Sequence, residues 1–133
     1  MSAPLLEVDR VTLRYAGEDG PVTATEQVSF QVMQGDRLVL LGPSGCGKSS
    51  LLKAVGGYLP AAEGQIRLRG RTVSEPGPDR MMVFQEFDQL LPWKTVRGNV
   101  AFALAASGRA RGAEAEQRAQ RAIAKVRLDR FAD

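Results

Sequence analysis

Residues 42–50 of the chain read Gly42-Pro43-Ser44-Gly45-Cys46-Gly47-Lys48-Ser49-Ser50. A glycine, four free positions and then Gly-Lys-Ser is the pattern of a phosphate-binding loop. The flanks fit it as well. Arg37-Leu38-Val39-Leu40-Leu41 ahead of the loop is a short apolar run of the buried-strand type, and Ser50-Leu51-Leu52-Lys53-Ala54-Val55 behind it can form a helix. Strand, glycine loop and helix in that order are the setting the motif requires, and they point to an α/β fold.

The residue types carry the chemistry. Successive backbone N–H groups around Gly45, Cys46, Gly47 and Lys48 can curl into a nest for phosphate oxygens, assisted by the N-terminus of the helix. Glycine permits the positive φ angles and the close backbone approach that such a nest needs. Lys48 is placed to reach the β- and γ-phosphates, the Ser49 hydroxyl to ligate Mg²⁺, and Ser50 to contact the α-phosphate region. The plain alternative is a glycine-rich turn between a strand and a helix. It leaves the Lys and the Ser, both in register, without a reason.

The rest of the composition bounds the reading. With 133 residues, 44% of them apolar and 25% charged, the chain can build one domain with a core. The formal net charge of +3 comes without a basic stripe interleaved with aromatics, so it reads as the solvated faces of helices rather than as a nucleic-acid surface. One cysteine and no histidine exclude an internal disulfide and a Cys/His zinc site. Cys46 lies inside the glycine loop, where a small residue that leaves the backbone free suffices and a redox role is the alternative. No basic segment followed by an apolar one opens the chain as a secretory signal does, and no apolar run approaches the length of a bilayer span. The expected compartment is cytoplasmic, with any membrane role exercised through a partner.

Along the chain, residues 5–15 alternate as a strand through Leu6, Val8, Val11, Leu13 and Tyr15, residues 16–21 turn, and residues 22–33 form a second strand region. The loop helix should stop at Gly56-Gly57. Residues 64–70 alternate cleanly as a half-exposed strand continued by residues 71–73, residues 75–79 form a loop, and Met81-Met82-Val83-Phe84 reads as a buried strand ending at Gln85. Residues 86–94 read as loop, 95–106 as helix, 107–112 as a break and 113–128 as a second helix. That last helix would turn Ala115, Ala119, Ala122, Ile123 and Val126 to one face and pair Glu114 with Arg118 on the other.

Taken in order, these landmarks resemble the N-terminal half of an ABC-transporter ATP-binding subunit, and the resemblance covers essentially the whole chain. It implies an α/β P-loop NTPase of ABC type, with antiparallel strands first, part of a parallel core sheet next, and the start of a helical subdomain. Residues 1–94 would belong to the ATP-binding core and 95–133 to the helical subdomain, together a single incomplete domain. Tyr15 stands where such subunits carry the aromatic that stacks on adenine; the alternative is a strand Tyr with one wet face. Gln85 stands as the Q-loop glutamine does, sensing Mg²⁺ and the attacking water. The segment Leu90-Leu91-Pro92-Trp93-Lys94-Thr95-Val96-Arg97-Gly98-Asn99-Val100 is similar to importers of the nitrate, sulfonate, taurine and bicarbonate group, as is Pro76-Gly77-Pro78-Asp79-Arg80. By that likeness Trp93 and its neighbours would receive a permease helix; packing of Trp93 beneath its own helix is the other reading.

Two departures are local: Glu86-Phe87-Asp88-Gln89 makes the loop after Gln85 one residue longer than the commonest form, and Gly56 replaces a more usual alanine. A larger one is that the signature sequence, the Walker B strand, the catalytic Glu and the switch His of such subunits do not occur in these 133 residues. The resemblance implies ATP and Mg²⁺ as ligands, with Lys48 and Gln85 as catalytic residues and Ser49 and Gln85 as metal ligands. It implies a second ATP-binding subunit in a head-to-tail dimer, permease subunits at the inner face of the membrane, and a solute-binding protein acting indirectly. Two functions stay open: the ATP-binding part of an importer ATPase, or a truncated nucleotide-binding module without turnover. A GTPase would want Asn-Lys-x-Asp, which is absent, and a small kinase gives no reason for Gln85 and Pro92-Trp93. With later strands of the parallel sheet lacking, the isolated chain is expected to be marginally stable or to aggregate.

Overall fold

The computed structural model describes residues 3–86 and 89–133. The loop expected over 86–94 therefore lies outside the described residues at Phe87 and Asp88. The chain divides into two units, residues 1–82 and 83–133.

In the first unit the period-2 pattern becomes a hairpin: β1 (Leu6–Gly17) pairs antiparallel with β2 (Gly20–Val32), Gly17 opposite Gly20 across the turn. Val8 and Val11 are three apart, so strict alternation would put them on opposite faces. A break in register between them, with Arg10 at φ 46°, resets the phase, and Val8, Val11 and Leu13 are all buried. The helix α1 (Lys48–Gly56) comes next, then β3 (Glu63–Leu68) and the short β4 (Arg71–Thr72), giving a sheet of order β2-β1-β3-β4. Glu7 lies directly opposite Arg67 and the two form an ion pair at 3.1 Å, a cross-strand pair of the kind that contributes ~0.2–1 kcal/mol.

The core joins Val8, Val11 and Leu13 of β1 and Ile66 of β3 to Leu51 and Ala54 of α1. Leu51 and Ala54 lie three residues apart on one helix face, and their burial holds α1 against the sheet. As its glycines require, α1 stops at Gly57, which adopts a left-handed φ of 84°, while Tyr58 N–H closes back on Lys53 C=O at 2.9 Å.

Two expected strands are corrected. Neither residues 37–41 nor residues 81–84 form a strand, and Leu38, Val39, Leu41, Met81 and Val83 are exposed. A strand exists through its ladder, and a buried parallel strand needs a hydrogen-bonded neighbour beside it. The described residues supply no such neighbour for these apolar runs, so the ordered sheet is the antiparallel one alone.

The second unit is helical: α2 (Val96–Ala106), α3 (Gly112–Lys125) and a short 3₁₀ turn (Asp129–Phe131). Thr95 caps α2, its Oγ1 accepting from Gly98 N–H at 3.0 Å. Ala101 of α2 packs with Ala110, Ala115 and Ala119, and Ile123 is buried as well. Glu114 and Arg118 pair at 3.2 Å as their spacing implies. The expected face of α3 needs correction at two positions, since Ala122 and Val126 are exposed. The helix ends at Lys125 with Val126 as its cap, and the buried stripe is the narrow i, i+4, i+8 row of 115, 119 and 123. No helix among the described residues is long and apolar enough to cross a membrane.

Candidate phosphate-binding site

The loop of residues 42–47 opens directly into α1, with Gly47 as the residue before the helix at φ 95°, ψ 5°. No side chain caps that end and no acidic residue stands in the first turn. The first N–H groups of a helix have no partner within it, so this end presents unneutralised donors and the positive pole of the helix dipole. Gly47 is also where the loop meets the sheet. A Cβ there would stand 2.2 Å from Ala24 O and 2.6 Å from the Thr25 methyl, both on β2. Gly45, at φ 81°, would point a Cβ into open space.

Lys48 folds back over the loop. Its ammonium donates to Gly42 C=O at 2.8 Å and Pro43 C=O at 2.7 Å, with Cys46 Sγ at 3.5 Å. One cation thus collects the loop's own carbonyl dipoles where the helix N-terminus is uncapped. Chemically, this is a donor set without a counter-charge, and an anion can replace the two carbonyls as the partner of the ammonium.

Tyr15, at the far end of β1, comes to the same place. Its hydroxyl donates to Ser50 Oγ at 3.0 Å across 35 positions of sequence, and its ring is 39% exposed. Of the expected loop residues, Ser44 and Ser49 have exposed side chains, Cys46 is an exposed free thiol, and Ser50 is partly buried beneath Tyr15. A cavity of about 380 Å³ lies elsewhere in this unit, lined by residues such as Arg71, Val73, Pro76 and Arg80 and by none of the loop. The loop itself is an open surface, as suits a ligand bound by backbone donors.

Gln85 and Trp93 belong to the second unit. Gln85 sits in a bend rather than at a strand end, and it is exposed. Trp93 is 76% exposed, so it does not pack beneath its own helix. Residues that the sequence does not single out are Ala24 and Thr25, against which Gly47 lodges, while Asn99, which stands there only within the segment 90–100, binds the turn carrying Trp93. Nothing in the sequence marks the first two. The third carries a weak signal, lying four residues after the cap Thr95.

A family described as ABC transporter matches residues 25–133. A taurine import ATP-binding protein, TauB, of Rhizobium johnstonii is 46% identical over 129 residues, covering 96% of this chain and 48% of that protein. A nitrate import ATP-binding protein, NrtD, of Synechococcus elongatus is 44% identical over 102 residues, covering 77% and 37%. Among solved structures, the dimeric post-hydrolysis state of the ATP-binding cassette MJ0796 bound to ADP and Pi superimposes with a TM-score of 0.82 at 27% identity, over 96% of this chain and 60% of that one. The chain spans about half the length of the curated relatives it matches.

Proposed function

The chain belongs to the ABC transporter family, and on that premise we propose that it is the nucleotide-holding part of an importer's ATP-binding subunit. The observation that supports this most directly is the Lys48 ammonium held on the carbonyls of Gly42 and Pro43 beside an uncapped helix. The donor set fits a triphosphate. In this reading the loop of residues 42–50 wraps the phosphates and Lys48 exchanges its carbonyl partners for β- and γ-oxygens. Ser50 lies near the α-phosphate, and Ser49 is free to offer its hydroxyl to Mg²⁺, while for Gln85 the metal-ligand and water-orienting roles are those the family resemblance implies. Bound there, Mg²⁺ would neutralise charge on the phosphate oxygens.

Tyr15 is proposed to lay its ring against adenine. A base–aromatic stack contributes ~1–3 kcal/mol, and the bond to Ser50 keeps the ring beside the loop. Tyr15→Phe should therefore retain affinity to within about threefold, whereas Tyr15→Ala should lose about tenfold or more. Equal losses in titrations of the two variants would move the role from the ring to the hydroxyl.

In the proposed assembly, residues 1–94 serve as core and 95–133 open a helical subdomain. A second ATP-binding subunit completes each site, and Trp93 meets the permease at the inner face of the membrane. A solute-binding protein acts at one remove. The names of the relatives favour a small solute of the taurine or nitrate type as the imported one. Turnover is assigned to that assembly and nucleotide holding to these 133 residues, which contain no histidine to act as the switch. Titrating the chain with a fluorescent ATP analogue while following phosphate release tests this. Saturable binding without release is the expected result. Release by the chain alone would remove the division of labour, and absence of binding would remove the reading.

A further inference from the structure

Leu91, Pro92, Trp93 and Lys94 form a turn closed by Lys94 N–H on Leu91 C=O at 3.0 Å. Pro92 holds its second position, where a fixed φ suits the turn, and Trp93 its third. The turn feeds into α2 at Thr95, and Asn99 reaches back over all of it. Asn99 Oδ1 accepts from Leu91 N–H at 2.8 Å, and its Nδ2 donates to the carbonyls of Leu91, Lys94 and Thr95 at 3.1, 3.2 and 3.0 Å. On the other side, Lys94 Nζ lies 5.6 Å from the centre of the Phe102 ring.

One amide thus ties four backbone groups of an exposed segment, and no other side chain has both the donors and the acceptor at that reach except a longer Gln. We propose that Asn99 is a positioning residue that holds the turn of residues 91–94 in one shape, so that Trp93 meets the permease helix preformed. The proposal rests on the docking role given to Trp93 above. A free turn would have to be ordered on binding, at a cost in affinity; Asn99 meets that cost during folding. A merely structural role at the start of α2 would alter helix stability and leave Trp93 as ordered as before.

Trp93 is the chain's one tryptophan, so its fluorescence anisotropy decay reads the turn directly. Asn99→Asp keeps the shape and the acceptor and loses the donors, while Asn99→Ala loses both. Both variants should raise the amplitude of fast, nanosecond Trp93 motion about twofold. Both should also weaken co-sedimentation with inverted membrane vesicles carrying the permease subunits by about fivefold, with permease-free vesicles as the blank. Far-UV helicity should stay at the parent's value in Asn99→Asp; its loss there would overturn the proposal by making Asn99 a folding residue. Unchanged Trp93 motion in both variants would overturn it too, as would unchanged vesicle binding in the face of a loss by Trp93→Ala. If Trp93→Ala binds the vesicles as the parent does, the docking role falls and this proposal falls with it, whereas Asn99 failing alone leaves docking intact.

Discussion

Replacing Lys48 by alanine is expected to weaken binding of an ATP analogue by about a hundredfold, taking two charge-assisted hydrogen bonds at about 1.5 kcal/mol each. The two carbonyl contacts of the ammonium, at 2.8 and 2.7 Å, give the reason for the size. They show the cation already within the loop and facing oxygen, so a phosphate needs only to replace the carbonyls and not to draw a lysine in from solvent. The loss should be larger for ATP than for ADP, because the γ-phosphate is one of the two groups the ammonium is proposed to reach. Lys48→Arg should recover only part of it: a planar guanidinium does not occupy the place of a compact ammonium among closely set carbonyls. Parallel titrations of the parent and the two variants with ATP and ADP analogues decide the matter. Equal affinities for parent and Lys48→Ala would show that backbone donors alone bind the ligand.

What the sequence disclosed and what it withheld follow from where each element finds its partners. β1, β2 and β3 were legible because their alternation is completed by neighbours within the same unit, with Leu6 between Val32 and Leu68. Residues 37–41 and 81–84 carry equally apolar patterns, yet a pattern states only that a strand would be buried, not that a neighbour exists to bury it. The glycine loop was legible residue by residue, since its spacing is local. The approach of Tyr15 to Ser50 was not legible in the sequence, because the 34 residues between them fix nothing by themselves. The expected face of α3 is too wide at Ala122, which is apolar but lies off the buried 115, 119, 123 row, and at Val126, which follows the helix's end at Lys125. Asn99 was visible only as a letter of the segment 90–100; its hold on the turn was not, because its partners are backbone groups.

The two loop glycines should separate sharply when each is replaced by alanine. Both hold left-handed backbone, Gly45 at φ 81° and Gly47 at φ 95°, and forcing an L-residue there costs roughly 1–2 kcal/mol. Gly45→Ala bears that cost alone, because nothing lies within 4 Å of the added methyl. At Gly47 the methyl would meet Ala24 O at 2.2 Å and the Thr25 methyl at 2.6 Å, and these are parts of a paired strand, not the end of a flexible side chain. α1 must then move off β2, which draws Leu51 and Ala54 away from Val8, Val11 and Leu13. Overpacking of this kind adds about 1–3 kcal/mol, so Gly47→Ala should lose roughly twice as much stability as Gly45→Ala. Hydrogen exchange read on peptides from β1, β2 and α1 measures both changes in the same unit. Protection should fall across α1 and β2 together in Gly47→Ala and stay confined to the loop in Gly45→Ala. Indistinguishable exchange in the two variants would mean that the loop does not press on Ala24 and Thr25. It would also mean that the helix presenting Lys48 is positioned by its apolar face alone.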